Sequence, residues 1–184
     1  MQRQDGNGYS TINKPLHDGL LKAHLEQNIT IGVFAGRLIT KFICFDVDAR
    51  EDAQAVTRDL IELLIVKYGL SATNILLSAS GSKGYHVELF FDEPITLRAA
   101  KQFYTIVLHD LSVTSNVVEL RPTAQGVKLP LSIHRKTGAI CHILSHANFK
   151  PLPATALFDV EQIDTALFCE QLNDFWTYKP LPIT

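Results

Sequence analysis

Between residues 38 and 120 the apolar residues change period in a fixed order, and that order leaves few folds open. Residues 38–45 form a short run rich in β-branched and aromatic side chains and read as a strand. Residues 51–68 put Ala55, Leu60, Leu63 and Leu64 on one helical stripe that ends at Gly69, a residue suited to a left-handed helix stop. Residues 74–78 and 85–91 read as two further strands. A second helix is expected over 97–111, entered after Pro94 with Thr96 as N-cap, and residues 116–120 close the series as a strand.

The order β-α-β-β-α-β predicts an α+β fold, the split arrangement shared by ferredoxin-like and RNA-recognition (RRM) domains. Right-handed crossovers then place the first strand mid-sheet, flanked by the third and fourth. Ahead of this core, residues 1–14 read as a loose leader. Residues 17–27 read as a short helix with Leu20, Leu21 and Leu25 on one face. Residues 30–35 and 38–45 suggest a hairpin turned at Gly36-Arg37. Beyond the core, 126–131 and 139–144 look like an added hairpin and 161–176 like a closing helix. The expectation is one domain over residues 1–184: an N-terminal αβ lobe (15–37), the core with its hairpin (38–145) and the helix (160–176). The run Lys179-Pro180-Leu181-Pro182 resembles a linker, as in a piece of a longer protein.

Composition narrows the function classes. With 46% hydrophobic and 20% charged residues among 184, the chain is an ordinary globular one. Its net charge of −2 gives no overall attraction to a polyanion, so any nucleic-acid contact must be local. No apolar run approaches the ~20 residues of a membrane span, and the start has no signal-like segment, which predicts a cytoplasmic protein without a membrane partner. Cys44, Cys141 and Cys169 are odd in number and far apart, as expected of reduced thiols. A zinc site from Cys141, His142 and His146 lacks a fourth ligand.

Four segments carry candidate chemistry. Asp46-Val47-Asp48 ends the first core strand, where residues i and i+2 share a face roughly 7 Å apart. Two such carboxylates suit Mg²⁺ or Mn²⁺, although a strand running into a polar turn has the same pattern. Ser80-Gly81-Ser82-Lys83-Gly84-Tyr85-His86 joins the second and third strands; Gly81 and Gly84 let backbone amides approach a ligand, and Lys83 can meet a phosphate. By itself this segment also reads as a plain hairpin loop. Glu119, in the fourth strand, joins Asp46, Asp48 and His86 if it faces the same side of the sheet; three carboxylates could then hold two ions ~4 Å apart. Lys128, His134, Arg135 and Lys136, with Arg121 upstream, form the one dense cationic cluster, fit for a triphosphate or, more plainly, for a solvated hairpin. The remaining histidines, His17, His24, His109, His142 and His146, read as surface groups or as satisfied within the fold.

Taken together these residues make the chain resemble the archaeo-eukaryotic primase superfamily over residues 17–144. Phe45-Asp46-Val47-Asp48 is similar to the family's metal-binding first motif. Ser80 to His86 is similar to the second, whose histidine contacts the incoming nucleotide, and Val118-Glu119-Leu120 to the third, which gives the last metal ligand. Leu129-Pro130-Leu131-Ser132-Ile133-His134-Arg135-Lys136-Thr137-Gly138 resembles a segment whose histidine and lysine hold the triphosphate. Ala23-His24-Leu25-Glu26 and Ile29-Thr30-Ile31-Gly32-Val33 resemble members from bacterial conflict systems and mobile elements. Two departures stand out: Glu119 replaces an aspartate common in the family, and Gly84 stands where some members have serine.

The resemblance implies a primase-polymerase fold and divalent-metal-dependent nucleotidyl transfer. The expected catalytic and metal residues are Asp46, Asp48 and Glu119, with Mg²⁺ or Mn²⁺ in a two-metal site. Ser80, Gly81, Lys83, Gly84, His86, Arg121, Lys128, His134 and Lys136 are expected to bind the nucleotide. The implied partners are a single-stranded DNA template and primer, dNTPs or NTPs, and a fused or associated helicase or nuclease. Two alternatives remain open at this level. One is a non-catalytic single-strand-binding module using sheet aromatics such as Phe90. The other is a replication-initiator nuclease, which needs a His-x-His pair absent from this sequence.

Overall fold

The computed structural model describes residues 2–4, 9–11, 15–123 and 126–177. Strand β4 (Ile39–Val47) shows how the sequence builds its sheet. Ile43, Phe45 and Val47 point to one side and are at most 1% exposed, while Cys44 and Asp46 alternate onto the other. β5 (Ile75–Ala79), β6 (Tyr85–Thr96) and β7 (Val118–Arg121) join it in the order β5-β6-β4-β7, every pair antiparallel. The first core strand therefore lies mid-sheet, as the crossover rule requires.

α2 (Ala53–Val66) and α3 (Leu97–Leu111) cover the apolar face. Leu60 and Leu64 of α2 and Phe103 and Val107 of α3 are at most 2% exposed and belong to one core with Phe45, Leu77, Leu89 and Val118. Each such side chain contributes about 1.5–3 kcal/mol by leaving water. Gly69 adopts φ +68 after α2, and Thr96 Oγ1 accepts the Ala99 N–H at 3.1 Å to cap α3. The closing helix, α4 (Thr165–Thr177), seats Phe168 edge-on against Phe91 and Phe103, with ring centroids 4.9 and 5.0 Å away. No helix among the described residues is long and apolar enough to cross a membrane.

The periphery departs from the sequence expectation in three places. Part of the segment expected as a loose leader forms β1 (Gln2–Gln4) and β2 (Tyr9–Thr11), which pair with each other. β3 (Thr30–Val33) does not make a hairpin with β4; it pairs with β1 and with β8 (Val127–Lys128) in a second sheet of order β2-β1-β3-β8. The expected added hairpin closes near its turn, where Ile133 bridges Ile140 and the Leu131 N–H donates to Cys141 O at 2.7 Å, but its outer ends split apart: Val127–Lys128 becomes β8, whereas Ile143 bridges Ser78 on the outer edge of β5. Unpaired strand edges explain the split, because the edges of β3 and β5 each offer a row of backbone groups to satisfy.

The first helix, α1 (Asp18–Leu25), also turns differently. Leu25 is 56% exposed, and the buried residue is His24. Its Nε2 donates to the Pro130 carbonyl at 2.8 Å while Nδ1 accepts the Ile31 N–H at 3.0 Å, tying α1 to β3 and to the segment after β8. The run at 179–182 read as a linker lies outside the described residues.

Candidate active site

Strand register assembles the site. Asp46 on β4 lies opposite His86 on β6 and opposite Glu119 on β7, and Ser78 on β5 lies opposite His86. Paired residues on neighbouring strands project to the same face, so one row crosses the sheet as Ser78, His86, Asp46 and Glu119, away from α2 and α3. Glu119 thus stands on the same side as Asp46. The adjacent row on that face is Leu76, Glu88, Cys44 and Arg121. Asp48 follows just past the end of β4, its N–H bonded to Val117 O at 2.9 Å.

Arg121 lies across Asp46 and Glu119. Its Nη2 donates to Glu119 Oε2 at 2.6 Å and its Nε is 3.4 Å from Asp46 Oδ2. His86 Nε2 is 3.6 Å from Asp46 Oδ1. Among the described residues no group of three His, Cys, Asp or Glu side chains is arranged to hold an ion. Like-charged carboxylates on adjacent strands repel, and a guanidinium two residues along β7 relieves that repulsion at close range. The donor set itself is anionic and all oxygen, which suits Mg²⁺ or Mn²⁺; Asp46, Asp48 and Glu119 are the residues that could hold one after turning from Arg121.

An open cleft of about 460 Å³ lies between the two sheets. Of the residues expected at the site, Asp46, Asp48, Ser80, His86, Arg121, Lys128 and His134 line it, and Gly32 and Phe34 come in from the β3 side. Gly81, Lys83, Gly84, Lys136 and Glu119 do not line it. Glu119 sits half-exposed at the outer rim, and Lys83 and Lys136 are exposed. Gly84 serves packing: a Cβ there would stand 2.2 Å from Val47 O, so no side chain fits without moving β4. Lys128 Nζ donates to Ser80 O, and Ser80 Oγ accepts the Gly84 N–H at 3.2 Å, so loop 80–84 is anchored at both ends. Arg135 leaves the cationic cluster, its Nη2 donating to Gln27 O at 2.9 Å.

Burial shapes the acid–base character of this face. Desolvation holds the His86 imidazole well below its ordinary range; the Asp46 charge opposes this, and Lys128 and Arg121 reinforce it. His86 is therefore neutral at pH 7, and its approach to Asp46 is a contact with a neutral ring. Burial, then Lys128 and Lys136, lower His134 in the same sense. Burial raises the Glu88 carboxyl to about 8, with Asp46 adding to the effect. Glu88 was missed in the sequence, although its parity with His86 inside an apolar strand was a usable signal. Phe34 and Thr137 were also missed, and neither carries a local pattern that marks it.

No curated protein matches the sequence. Among solved structures, the polymerase domain from Mycobacterium tuberculosis ligase D in complex with DNA is similar over 76% of this chain, with 18% identity and a TM-score of 0.47. The match covers 52% of that chain, so the present one spans about half its length. The family described as "TOTE conflict system, Archaeo-Eukaryotic Primase domain" matches residues 7–122, well over half of the sequence. With that match and the βαββαβ core, the chain belongs to the archaeo-eukaryotic primase domain family of the TOTE conflict system.

Proposed function

We propose that this domain is a template-directed nucleotidyltransferase that makes or extends primers on single-stranded DNA from nucleoside triphosphates. The observation that supports it best is the pairing of Asp46 with both His86 and Glu119, facing a cleft to which Lys128 and His134 contribute. In this reading Asp46, Asp48 and Glu119 hold Mg²⁺ or Mn²⁺. Such ions, when bound, supply Lewis acidity at the triphosphate and at a primer 3′-hydroxyl. His86, neutral and held beside Asp46, donates a hydrogen bond to the incoming nucleotide. Lys128 and His134 neutralise its phosphates, and Ser80 and Ser82 line the floor beneath them, on a loop whose backbone course Gly81 and Gly84 set from behind. Arg121 passes its guanidinium from the carboxylates to the triphosphate or template, and Lys83 and Lys136 at the rim steer the polyanion in. A cytoplasmic setting and a fused or associated helicase or nuclease complete the proposal.

Incubation with a homopolymer single strand, labelled nucleotides and each metal, with and without primer, tests it. Asp46→Ala is expected to abolish product while the protein stays folded; full activity in that variant would refute the assignment. One observation favours a second reading, single-strand binding without catalysis. Phe42 and Phe90 stack at 6.0 Å, partly exposed, on the carboxylate face of the sheet. Metal-independent DNA binding with no incorporation by the wild type would select it.

A further inference from the structure

The turn that carries His134 is joined to loop 80–84 through one hydroxyl. Thr137 Oγ1 lies 2.5 Å from Gly81 O, 2.9 Å from His134 Nδ1 and 3.3 Å from Ala139 N. A carbonyl oxygen only accepts, so the single hydroxyl proton goes to Gly81 O. The hydroxyl oxygen accepts from Ala139 N–H, and His134 Nδ1 can then meet it only as a donor. Neutral His134 therefore carries its proton on Nδ1 and leaves Nε2 as a lone pair. The Thr137 N–H approaches Nδ1 at 3.3 Å, a contact that needs the opposite tautomer. That arrangement would leave no proton between Nδ1 and Oγ1, so the shorter hydroxyl contact decides.

Packing binds the same two segments. Gly81 adopts φ +82, and a Cβ there would stand 2.4 Å from His134 Cβ and 2.8 Å from Cys141 Sγ. The loop backbone is thus pressed onto the stem of the histidine, and Lys128 Nζ holds the neighbouring Ser80 carbonyl. Ser80, Ser82 and His134 all face the cleft.

We infer that Thr137 is a positioning residue for the nucleotide pocket: its hydroxyl fixes the His134 tautomer, presents Nε2 to the cleft and locks loop 80–84 beside it. This rests on the reading that the cleft takes nucleotides. A consequence is that His134 donates to a phosphate oxygen only after taking up a proton at Nε2. Lys128 and Lys136 beside the ring resist that uptake, with Asp46, Asp48, His86 and Arg121 around the same cleft. An arriving polyanion favours it. Nucleotide binding is then coupled to proton uptake and weakens as pH rises.

The test compares wild type, Thr137→Val and Thr137→Ser. Nitrogen-15 NMR of labelled histidines, with His134 assigned through His134→Gln, reads the tautomer without ligand. Titration calorimetry with dATP and Mg²⁺, in two buffers of different ionisation enthalpy, reads affinity and proton uptake. Wild type and Thr137→Ser are expected to show protonated Nδ1 and proton uptake on binding. Thr137→Val is expected to lose the single tautomer and to bind dATP about tenfold more weakly, the loss of one charge-assisted hydrogen bond. An unchanged tautomer and affinity in a folded Thr137→Val would overturn the positioning role alone. Failure of wild type to bind dATP would overturn the nucleotide-cleft reading, and this role with it.

Discussion

Replacing Glu88 by glutamine should stabilise the protein, by an amount that depends on pH. The side chain is 2% exposed, lies between Cys44 and Leu76 in the sheet register, and its Oε2 has no hydrogen-bond partner. Burial first, then the Asp46 charge, raise its carboxyl from 4.5 to about 8. Below pH 4.5 both the folded and unfolded chains carry the proton, and nothing is lost. From pH 4.5 to 8 the unfolded chain is ionised while the folded one stays protonated, so folding takes up a proton. Stability then falls by about 1.4 kcal/mol per pH unit, roughly 3 kcal/mol at pH 7 and about 5 kcal/mol above pH 8, where it levels off. Glutamine keeps the shape without the charge. Glu88→Gln should match wild type below pH 4.5, exceed it by roughly 3 kcal/mol at pH 7, and hold a constant advantage beyond pH 8. Urea unfolding followed by circular dichroism from pH 4 to 9, with chelator present, measures this difference. His86 titrates in both proteins and largely cancels. A difference that does not vary with pH would refute the reasoning, since it would mean Glu88 is already solvated or paired as an anion.

Two further outcomes follow from the same geometry. Arg121→Gln removes the cation lying across Asp46 and Glu119, and Mn²⁺ binding followed by electron paramagnetic resonance should tighten about tenfold, from relief of one charge roughly 5 Å away; an unchanged affinity would show that the guanidinium does not compete with metal. Gly84→Ala puts a Cβ 2.2 Å from Val47 O, and the forced movement of β4 should cost about 1–3 kcal/mol in urea unfolding. Wild-type stability in that variant would mean the loop and strand do not approach so closely.

The sequence by itself determined the core. Alternation along residues 39–47, the helical stripe through Leu60 and Leu64, the stop at Gly69 and the cap at Thr96 are local rules, each satisfied within a few residues. The crossover rule gives the strand order, but the register of β4 with β6 and β7 was needed to put Asp46, His86 and Glu119 on one face, because side chains alternate with a period of two and a one-residue slip would turn Glu119 away. The tertiary structure decided which partners those side chains take. Asp46 meets Arg121 from 75 residues away, Lys128 turns to a carbonyl 48 residues away, and Thr137 reaches Gly81 across 56. No local pattern encodes such choices; they follow from which groups burial leaves close enough to pair. The same holds at the edges. The three-residue strands β1 and β2 carry no hydrophobic period, and β3, β8 and residue 143 found their places only where unpaired strand edges needed hydrogen bonds.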